Sequence, residues 1–312
     1  MPGSIPESAT AEALADSVPD DQRIEGPVAG RLWLLARRKP LGAASALVLC
    51  LLLAVALLAP WLAPYDPYKL NVNERGLPIR MQAPNRAFPL GTDPLGRDVL
   101  SRIVYGARVS LVVGFASVLI GTGLGTVIGL ASGYLEGAVD SVLQRGVDTL
   151  MAVPGIVLAL AVVSVLGQSL TNVIIVIGLV IAPGASRVVR GAVLVVKQNT
   201  FVDAAHAAGA TPWRIVFRHI LPNVFAPILV IATVWLGNAI VIESALSFLG
   251  LGTPPPIPTW GGMLSGEGRR NLENAPYLAV FPGLAISIVV LAFNMFGDAL
   301  RDLLDPRLRT TR

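Results

Sequence analysis

"TLMAVPGIVLALAVVSVLGQSLTNVIIVIGLVIAPGAS", residues 149–186, is a run of 38 residues without a charged side chain. A single helix of this length would measure about 57 Å, far more than the ~30 Å hydrocarbon core of a bilayer. The polar segment "GQSLTN" at 167–172 supplies a turn within the run. We therefore predict two membrane spans here, at 149–166 and at about 171–189. This division decides on which side of the membrane every later loop lies.

The composition of the whole chain is that of an integral membrane protein. Of its 312 residues, 54% are hydrophobic and only 14% are charged, whereas about a quarter of a soluble domain is charged. Only 6% are aromatic, which favours helices packed through small residues over a barrel with aromatic girdles. The net charge of +4 is modest, so we attribute it to membrane topology rather than to nucleic-acid binding.

Four further apolar runs complete the pattern. The first, at 41–63, carries no charge and is long enough to cross a bilayer as a helix. It is too long and begins too late for a cleaved signal peptide, so we predict an uncleaved anchor. The others lie at 109–132, 224–249 and 277–297. The predicted fold is an all-α polytopic membrane protein with six transmembrane helices and both termini on one face.

The basic residues assign the two faces. Fifteen of the 24 Lys and Arg residues lie on the side of the termini and nine on the other. Since cytoplasmic loops carry an excess of Lys and Arg, we predict cytoplasmic termini. The predicted divisions are a disordered cytoplasmic tail at 1–30, a basic juxtamembrane segment at 31–40, the first transmembrane helix at 41–63, an external loop with an interfacial helix at 64–108, a five-helix core at 109–299 with a cytoplasmic loop at 190–222, and a cytoplasmic tail at 300–312.

The second span carries a small residue at every fourth position. Such a ridge lets two helix backbones approach closely in lipid. The segment "GTGLG" within it lacks the G-x-G-x-x-G spacing of a phosphate-binding loop. We expect the ridge to pack within the bundle or at a subunit interface. Its members are Ser117, Gly121, Gly125, Gly129 and Gly133.

The polar segment "DAAHAAGATPWRIVFRHILPN" at 203–223 separates two apolar runs. Its alanines favour a helix, and Gly209 is suited to end that helix where a positive φ is needed. Thr211 then suits the N-cap of a second helix, Trp213 to Leu221, which Pro222 would interrupt. A surface of alanines is poor at lipid binding and acid–base chemistry but can lie flush in a groove of another protein. A plain helical connector is the alternative.

This segment resembles the signature loop of ABC-importer permease subunits, in which Glu-Ala-Ala, Gly and Leu-Pro recur at set spacing. Here the matching residues are Asp203-Ala204-Ala205, Gly209 and Leu221-Pro222. Asp203 replaces the usual Glu and keeps the negative charge near a helix start. His219 stands where Ile is usual.

Two further segments resemble the C-type permease subunit of the dipeptide, oligopeptide and nickel branch of that family. They are "LGTDPLGRDVLSRIVYGARVSL" at 90–111 and "ESALSFLGLG" at 243–252, the latter followed by "PTWG" at 258–261. With the six spans, the resemblance extends over about residues 30–305.

The resemblance implies a non-catalytic subunit of an ATP-driven importer of di- or oligopeptides in the bacterial plasma (inner) membrane. It also implies four kinds of partner: a second, similar permease subunit that shares the solute path, cytoplasmic ATP-binding subunits, an extracytoplasmic solute-binding protein, and membrane lipid. The chain has no G-x-x-x-x-G-K-[ST] loop, so we expect ATP and Mg²⁺ on the partner subunits and no cofactor here. The residues expected to couple to the ATPase are Asp203, Ala204, Ala205, His206, Gly209, Ala210, Leu221 and Pro222.

Three other features bear on function, and the first two have two interpretations each. Glu243 lies within the fifth span, where a charged residue usually has a function. The alternative, which we favour, is a structural residue whose carboxylate reaches the outer interface. The mixed charges of 90–108 suit an interfacial helix that either docks a receptor or is a structural lid. His206 and His219 are thirteen residues apart without other ligands nearby, so a metal site is not expected.

Two other classes of function are open. An independent secondary transporter or channel needs buried ionisable residues or broken helices at mid-membrane, and Glu243 is the one candidate. A signalling protein could use 203–223 as a DNA-binding helix-turn-helix. A loop of about thirty residues cannot supply the rest of such a domain, so no nucleic-acid partner is predicted.

Overall fold

The computed structural model describes residues 40–265 and 270–304. The predicted tail at 1–30, the basic segment up to residue 39 and the tail beyond residue 304 lie outside this part of the chain. Within it the β-structure is limited to two isolated bridges, Val72–Pro78 and Thr92–Asp98. The predicted all-α fold is therefore confirmed.

Eleven helices follow one another in the described residues. They are α1 (Pro40–Leu57), α2 (Ala59–Leu62), α3 (Val99–Leu135), α4 (Gly137–Met151), α5 (Gly155–Leu166), α6 (Leu170–Lys197), α7 (Thr200–Ala207), α8 (Pro212–Ile215), α9 (Leu221–Phe248), α10 (Trp260–Leu264) and α11 (Tyr277–Leu304). A π-helical turn, Val216–Ile220, joins α8 to α9. Five of these segments are long and apolar enough to cross a membrane, namely α1, α3, α6, α8 to α9 as one helix, and α11.

The predicted third span at 149–166 is wrong in its boundaries. The chain bends by 87° between α4 and α5, and α5 has only 12 residues, about 18 Å of helix. The break comes at Pro154, which cannot donate a helical hydrogen bond and disfavours helix in the residue before it. The protein has six candidate spans if α4 and α5 are counted as one bent span.

The predicted interfacial helix at 90–108 is also wrong. Residues 90–98 form no helix, and residues 99–108 are the first part of α3, which continues for 37 residues to Leu135. Asp98 caps this helix, since its carboxylate accepts a hydrogen bond from the Ser101 backbone N–H at 2.7 Å. Between Val99 and Leu135 no proline interrupts the pattern, so the helix that starts outside the span runs on into it.

The small-residue ridge of α3 lies against α6. A Cβ atom on Gly125 would lie 2.6 Å from the Cβ of Ala185, and one on Gly133 would lie 2.9 Å from the Cβ of Val193. Similar short distances hold at Gly121 and Gly129. Ser117 is buried at the start of the same row. The two backbones can approach this closely because the four glycines carry no side chain and Ser117 carries only a small one.

The bundle has two distinct ends. We call the end that carries α7 the loop end, and the opposite end, where α3, α6 and α11 begin and α9 ends, the far end. At the far end Trp260 is buried and its Nε1 donates to the carbonyl of Ile103 at 3.0 Å. Gly106 makes room for this indole, because a Cβ there would lie 2.8 Å from it. The "PTWG" segment thus fastens the far-end loops to α3.

Candidate functional site

The loop between α6 and α9 forms a helix, a tight turn and a second helix. After α7, Gly209 adopts a φ of +76°. Its N–H donates to the carbonyl of His206 at 2.9 Å, and the N–H of Ala210 donates to the carbonyl of Ala205 at 3.0 Å. This is the Schellman pattern of helix termination. A Cβ on Gly209 would meet nothing within 4 Å, so glycine is needed there for its backbone conformation and not for space.

Apolar side chains hold this loop on the ends of the long helices. Val202 of α7 and Ile215 of α8 are buried together with Leu130 of α3, Val193 of α6 and Val224 of α9. Such a cluster makes the position of α7 depend on the positions of three long helices, since a close-packed core transmits displacement.

The structure gathers the predicted coupling residues on or beside this loop. Asp203, Ala204, His206, Gly209 and Pro222 are exposed, whereas Ala205, Ala210 and Leu221 are half-buried. Ala205, Ala210 and Leu221 pack against the apolar cluster beneath the loop. The exposed face of α7 therefore carries alanines together with the larger Phe201 and His206, and the half-buried residues pack beneath it.

The predicted interruption at Pro222 is wrong. The chain is helical from Pro212 to Phe248, with Pro222 in the first turn of α9. A proline in a helix removes one hydrogen bond and crowds the preceding turn. Here the π-helical turn Val216–Ile220 directly precedes it and takes up the irregularity, so the helix continues.

The same loop carries an exposed aromatic pair that was not predicted from the sequence. Trp213 has 74% of its surface exposed, and its ring lies 4.2 Å from that of Phe217 between centroids. The signal was available, because aromatic residues four apart on a helix lie on one face. The pair gives the loop an apolar surface beside the alanines of α7.

Ion pairs tie α4 to α6 at the loop end. Arg190 donates to both carboxylate oxygens of Asp140, each at 2.6 Å. Lys197 donates to Glu136 at 3.0 Å and to the carbonyl of Tyr134 at 2.8 Å. The hydrogen bonds from Arg190 and Ser132 lower the pKa of Asp140 from 3.8 to about 2. Asp140 lies on the amphipathic α4, which is not by itself among the five helices long and apolar enough to cross a membrane. In the sequence these basic residues indicate topology alone, because their acidic partners lie about 50 to 60 residues away along the chain.

Glu243 does not reach the outer surface, contrary to the favoured interpretation. It is fully buried, and its carboxylate accepts a hydrogen bond from the Ser247 hydroxyl at 2.7 Å. The hydroxyl of Thr259 lies 3.4 Å from that of Ser247. Hydroxyl groups of its own helix and of the far-end loop thus satisfy the carboxylate, which removes any need for it to extend to water.

Comparison with known proteins agrees with this architecture. The family described as "Binding-protein-dependent transport system inner membrane component" matches residues 125–310. The "N-terminal TM domain of oligopeptide transport permease C" matches residues 30–84.

Two curated relatives match almost end to end. The glutathione transport system permease protein GsiD of Pectobacterium atrosepticum is 44% identical over 278 residues, which cover 89% of this chain and 91% of the relative. GsiD of Escherichia coli O6:K15:H31 is 44% identical over 281 residues, 89% of this chain and 90% of the relative.

The fold also matches a solved structure. A chain of the methionine ABC transporter MetNI in an inward-facing conformation superposes with a TM-score of 0.54 at 19% identity, over 65% of this chain and 96% of that chain. Permease subunits of this kind are non-catalytic, and separate subunits hydrolyse ATP. The chain therefore belongs to the binding-protein-dependent transport system inner membrane components, in which it is a multi-pass permease subunit of an ABC importer.

Proposed function

We propose that the importer to which this permease belongs carries short peptides. The support comes from the two relatives that are named as glutathione transport permeases, because glutathione is a tripeptide. Both relatives are 44% identical to this chain over most of their length. The name of the N-terminal family, which refers to oligopeptide transport, points the same way. Di-, tri- and longer peptides share the amide groups and terminal charges that a common path could accept.

The loop end would face the cytoplasm, with α7 and its Gly209 turn seated in a groove of an ATP-binding subunit. One observation carries this assignment: the exposed Ala-rich face of α7 is anchored through Val202 and Ile215 to the ends of α3, α6 and α9. A push on α7 would therefore move three long helices together. Such a movement is what alternation between inward and outward states requires.

The other partners follow from the family. A second, similar permease subunit would complete the solute path, and an extracytoplasmic solute-binding protein would deliver the peptide to the far end. The excess of Lys and Arg at the loop end supports cytoplasmic termini. In this arrangement the far end is external.

The test uses the complete importer in proteoliposomes with its solute-binding protein. Ala204→Arg places a bulky charge on the exposed face of α7, and Gly209→Val opposes the positive φ of the turn. We expect both variants to assemble but to lose peptide uptake by about tenfold or more, since a loss of 1.4 kcal/mol in productive docking suffices. Radiolabelled peptide uptake and ATP hydrolysis are measured on the same vesicles.

Gly209→Asn is the matched control, because Asn tolerates positive φ; it should retain most of the uptake. Wild-type uptake by Ala204→Arg would remove the docking assignment. ATP-independent uptake by the permease chain alone, driven by an ion gradient, would favour a secondary transporter instead.

A further inference from the structure

A pocket lies at the far end of the bundle, remote from the α7 loop. Its volume is about 350 Å³, within the range of about 300–1,000 Å³ that is usual for small-molecule sites. It is formed where α3, α6 and α11 begin and α9 ends. The polar residues that line it include Asp93, Arg97, Arg102, Gln168, Ser247 and Thr253.

Among the described residues that line the pocket, the ionisable side chains leave an excess of positive charge. Arg97 Nε donates to Asp93 Oδ2 at 2.6 Å, and Arg102 Nε lies 3.8 Å from the same oxygen. The other oxygen, Oδ1, accepts the backbone N–H groups of Leu95 and Arg97. One carboxylate thus faces two guanidinium groups, and both of its oxygens are already engaged.

Two side chains that line the pocket, Arg97 and Thr253, carry hydrogen-bond donors without a partner among the described residues. In the part of the chain that the structure describes, Arg97 uses only Nε for side-chain hydrogen bonds, which leaves its two terminal nitrogens. Thr253 is 8% exposed, and its hydroxyl has no partner among the described residues. A buried hydroxyl without a partner is unfavourable, so a ligand oxygen at this position would be stabilised.

We propose that this pocket binds a carboxylate group of a small solute, with Arg97 and Thr253 as its donors. A carboxylate matches the planar fork of a guanidinium group and carries the complementary charge. The identification of the solute rests on the proposed function, because a short peptide carries such a group at its C-terminus. The pocket would hold the solute at the external entrance before it passes into the membrane.

The first experiment measures peptide binding to the complete importer in nanodiscs, without the solute-binding protein. The probes are glutathione, trialanine and the C-terminal amide of trialanine, titrated calorimetrically. We expect trialanine to bind about tenfold or more tightly than its amide, as for a charge-assisted hydrogen bond. Arg97→Gln should abolish that difference. Equal binding of acid and amide, or no binding of either acid, would overturn the proposal.

A second variant guards against a folding defect, because Arg97 also holds Asp93 in place. Thr253→Val removes only a hydroxyl group that has no partner in the described structure, so thermal stability should be unchanged or raised. Its affinity for trialanine should fall about three- to tenfold, and Thr253→Ser should restore it. Wild-type affinity in Thr253→Val would count against the site.

A carboxylate could also come from an acidic side chain of the solute-binding protein. Titration of that protein, free of peptide, onto the same nanodiscs separates the two sources. If Arg97→Gln weakens this docking and the wild type binds neither acid, the solute assignment is overturned. If instead the wild-type importer takes up no short peptide at all, the proposed function fails. Unchanged uptake and binding in both variants would overturn the pocket alone.

Discussion

Asp140 on α4 and Arg190 on α6 form a bidentate ion pair. The guanidinium Nε lies 2.6 Å from Oδ1 of the carboxylate, and Nη2 lies 2.6 Å from Oδ2. The hydroxyl of Ser132 also donates to Asp140, and Gln144 donates to Ser132 at 2.8 Å. This network fixes α4 to the loop end of α3 and α6, although α4 and α5 diverge by 87°. The network thus holds α4 against the same two helices, α3 and α6, whose apolar side chains support the α7 loop.

Loss of this ion pair should destabilise the folded chain. Arg190→Ala is expected to lower the free energy of unfolding by about 1–3 kcal/mol, because it leaves a hydrogen-bonded carboxylate without its main partner. Arg190→Lys should lower the free energy of unfolding by less, since lysine keeps the charge but cannot form the bidentate pair. Thermal unfolding of the purified chain in detergent measures both.

The pair Arg187–Asp148 supplies the control for that experiment. Its side chains are 50% and 57% exposed, against 33% and 18% for Arg190 and Asp140. An exposed ion pair contributes only about 0–1 kcal/mol, so Arg187→Ala should have a small effect. An equal effect of both substitutions would show that burial of the Asp140 pair is unimportant.

The same pair predicts a pH dependence of stability. The pKa of Asp140 is lowered from 3.8 to about 2 in the folded protein. A lowered pKa adds stability above the unfolded value, and that contribution is lost as the pH falls from 3.8 through about 2. The stability difference between wild type and Asp140→Asn should therefore be constant from about pH 5 to 8 and shrink in more acid solution. A difference that changes between pH 6 and 8 would contradict this assignment.

The contact between α3 and α6 should not tolerate a side chain at Gly125. A Cβ there would lie 2.6 Å from the Cβ of Ala185 and 2.7 Å from the carbonyl of Ala182. Gly125→Leu is therefore expected to cost about 1–3 kcal/mol or more, as overpacked cores do. Gly123→Leu is the matched control, because a Cβ on Gly123 meets nothing within 4 Å. Similar melting temperatures for the two variants would contradict the close packing.

Glu243 should tolerate an amide but not an apolar residue. Glu243→Gln keeps an acceptor for the Ser247 hydroxyl, so we expect wild-type stability and uptake. Glu243→Leu leaves that buried hydroxyl without its acceptor and should destabilise by about 1–3 kcal/mol. Normal stability with abolished uptake in Glu243→Gln would instead show that the carboxylate has a part in transport.

The end of α7 shows why a helix terminus can be predicted from the sequence. Gly209 was predicted to end a helix with a positive φ, and the structure has that conformation there. Helix termination depends on a few consecutive residues, so it is visible in sequence. The boundaries of the third span were mispredicted because hydropathy does not record direction: the run at 149–166 is apolar throughout, yet the chain turns at Pro154.

The sequence by itself determined the all-α membrane fold, the apolar segments and the helix–turn–helix between two of them, because these follow from hydrophobicity and from the conformational preferences of neighbouring residues. Only the tertiary structure decided that Arg190 pairs with Asp140, that Glu243 is buried under hydroxyl groups, and that Arg97 and Thr253 line one pocket. The partners of a charge lie tens of residues away, and which of them meet depends on how whole helices pack.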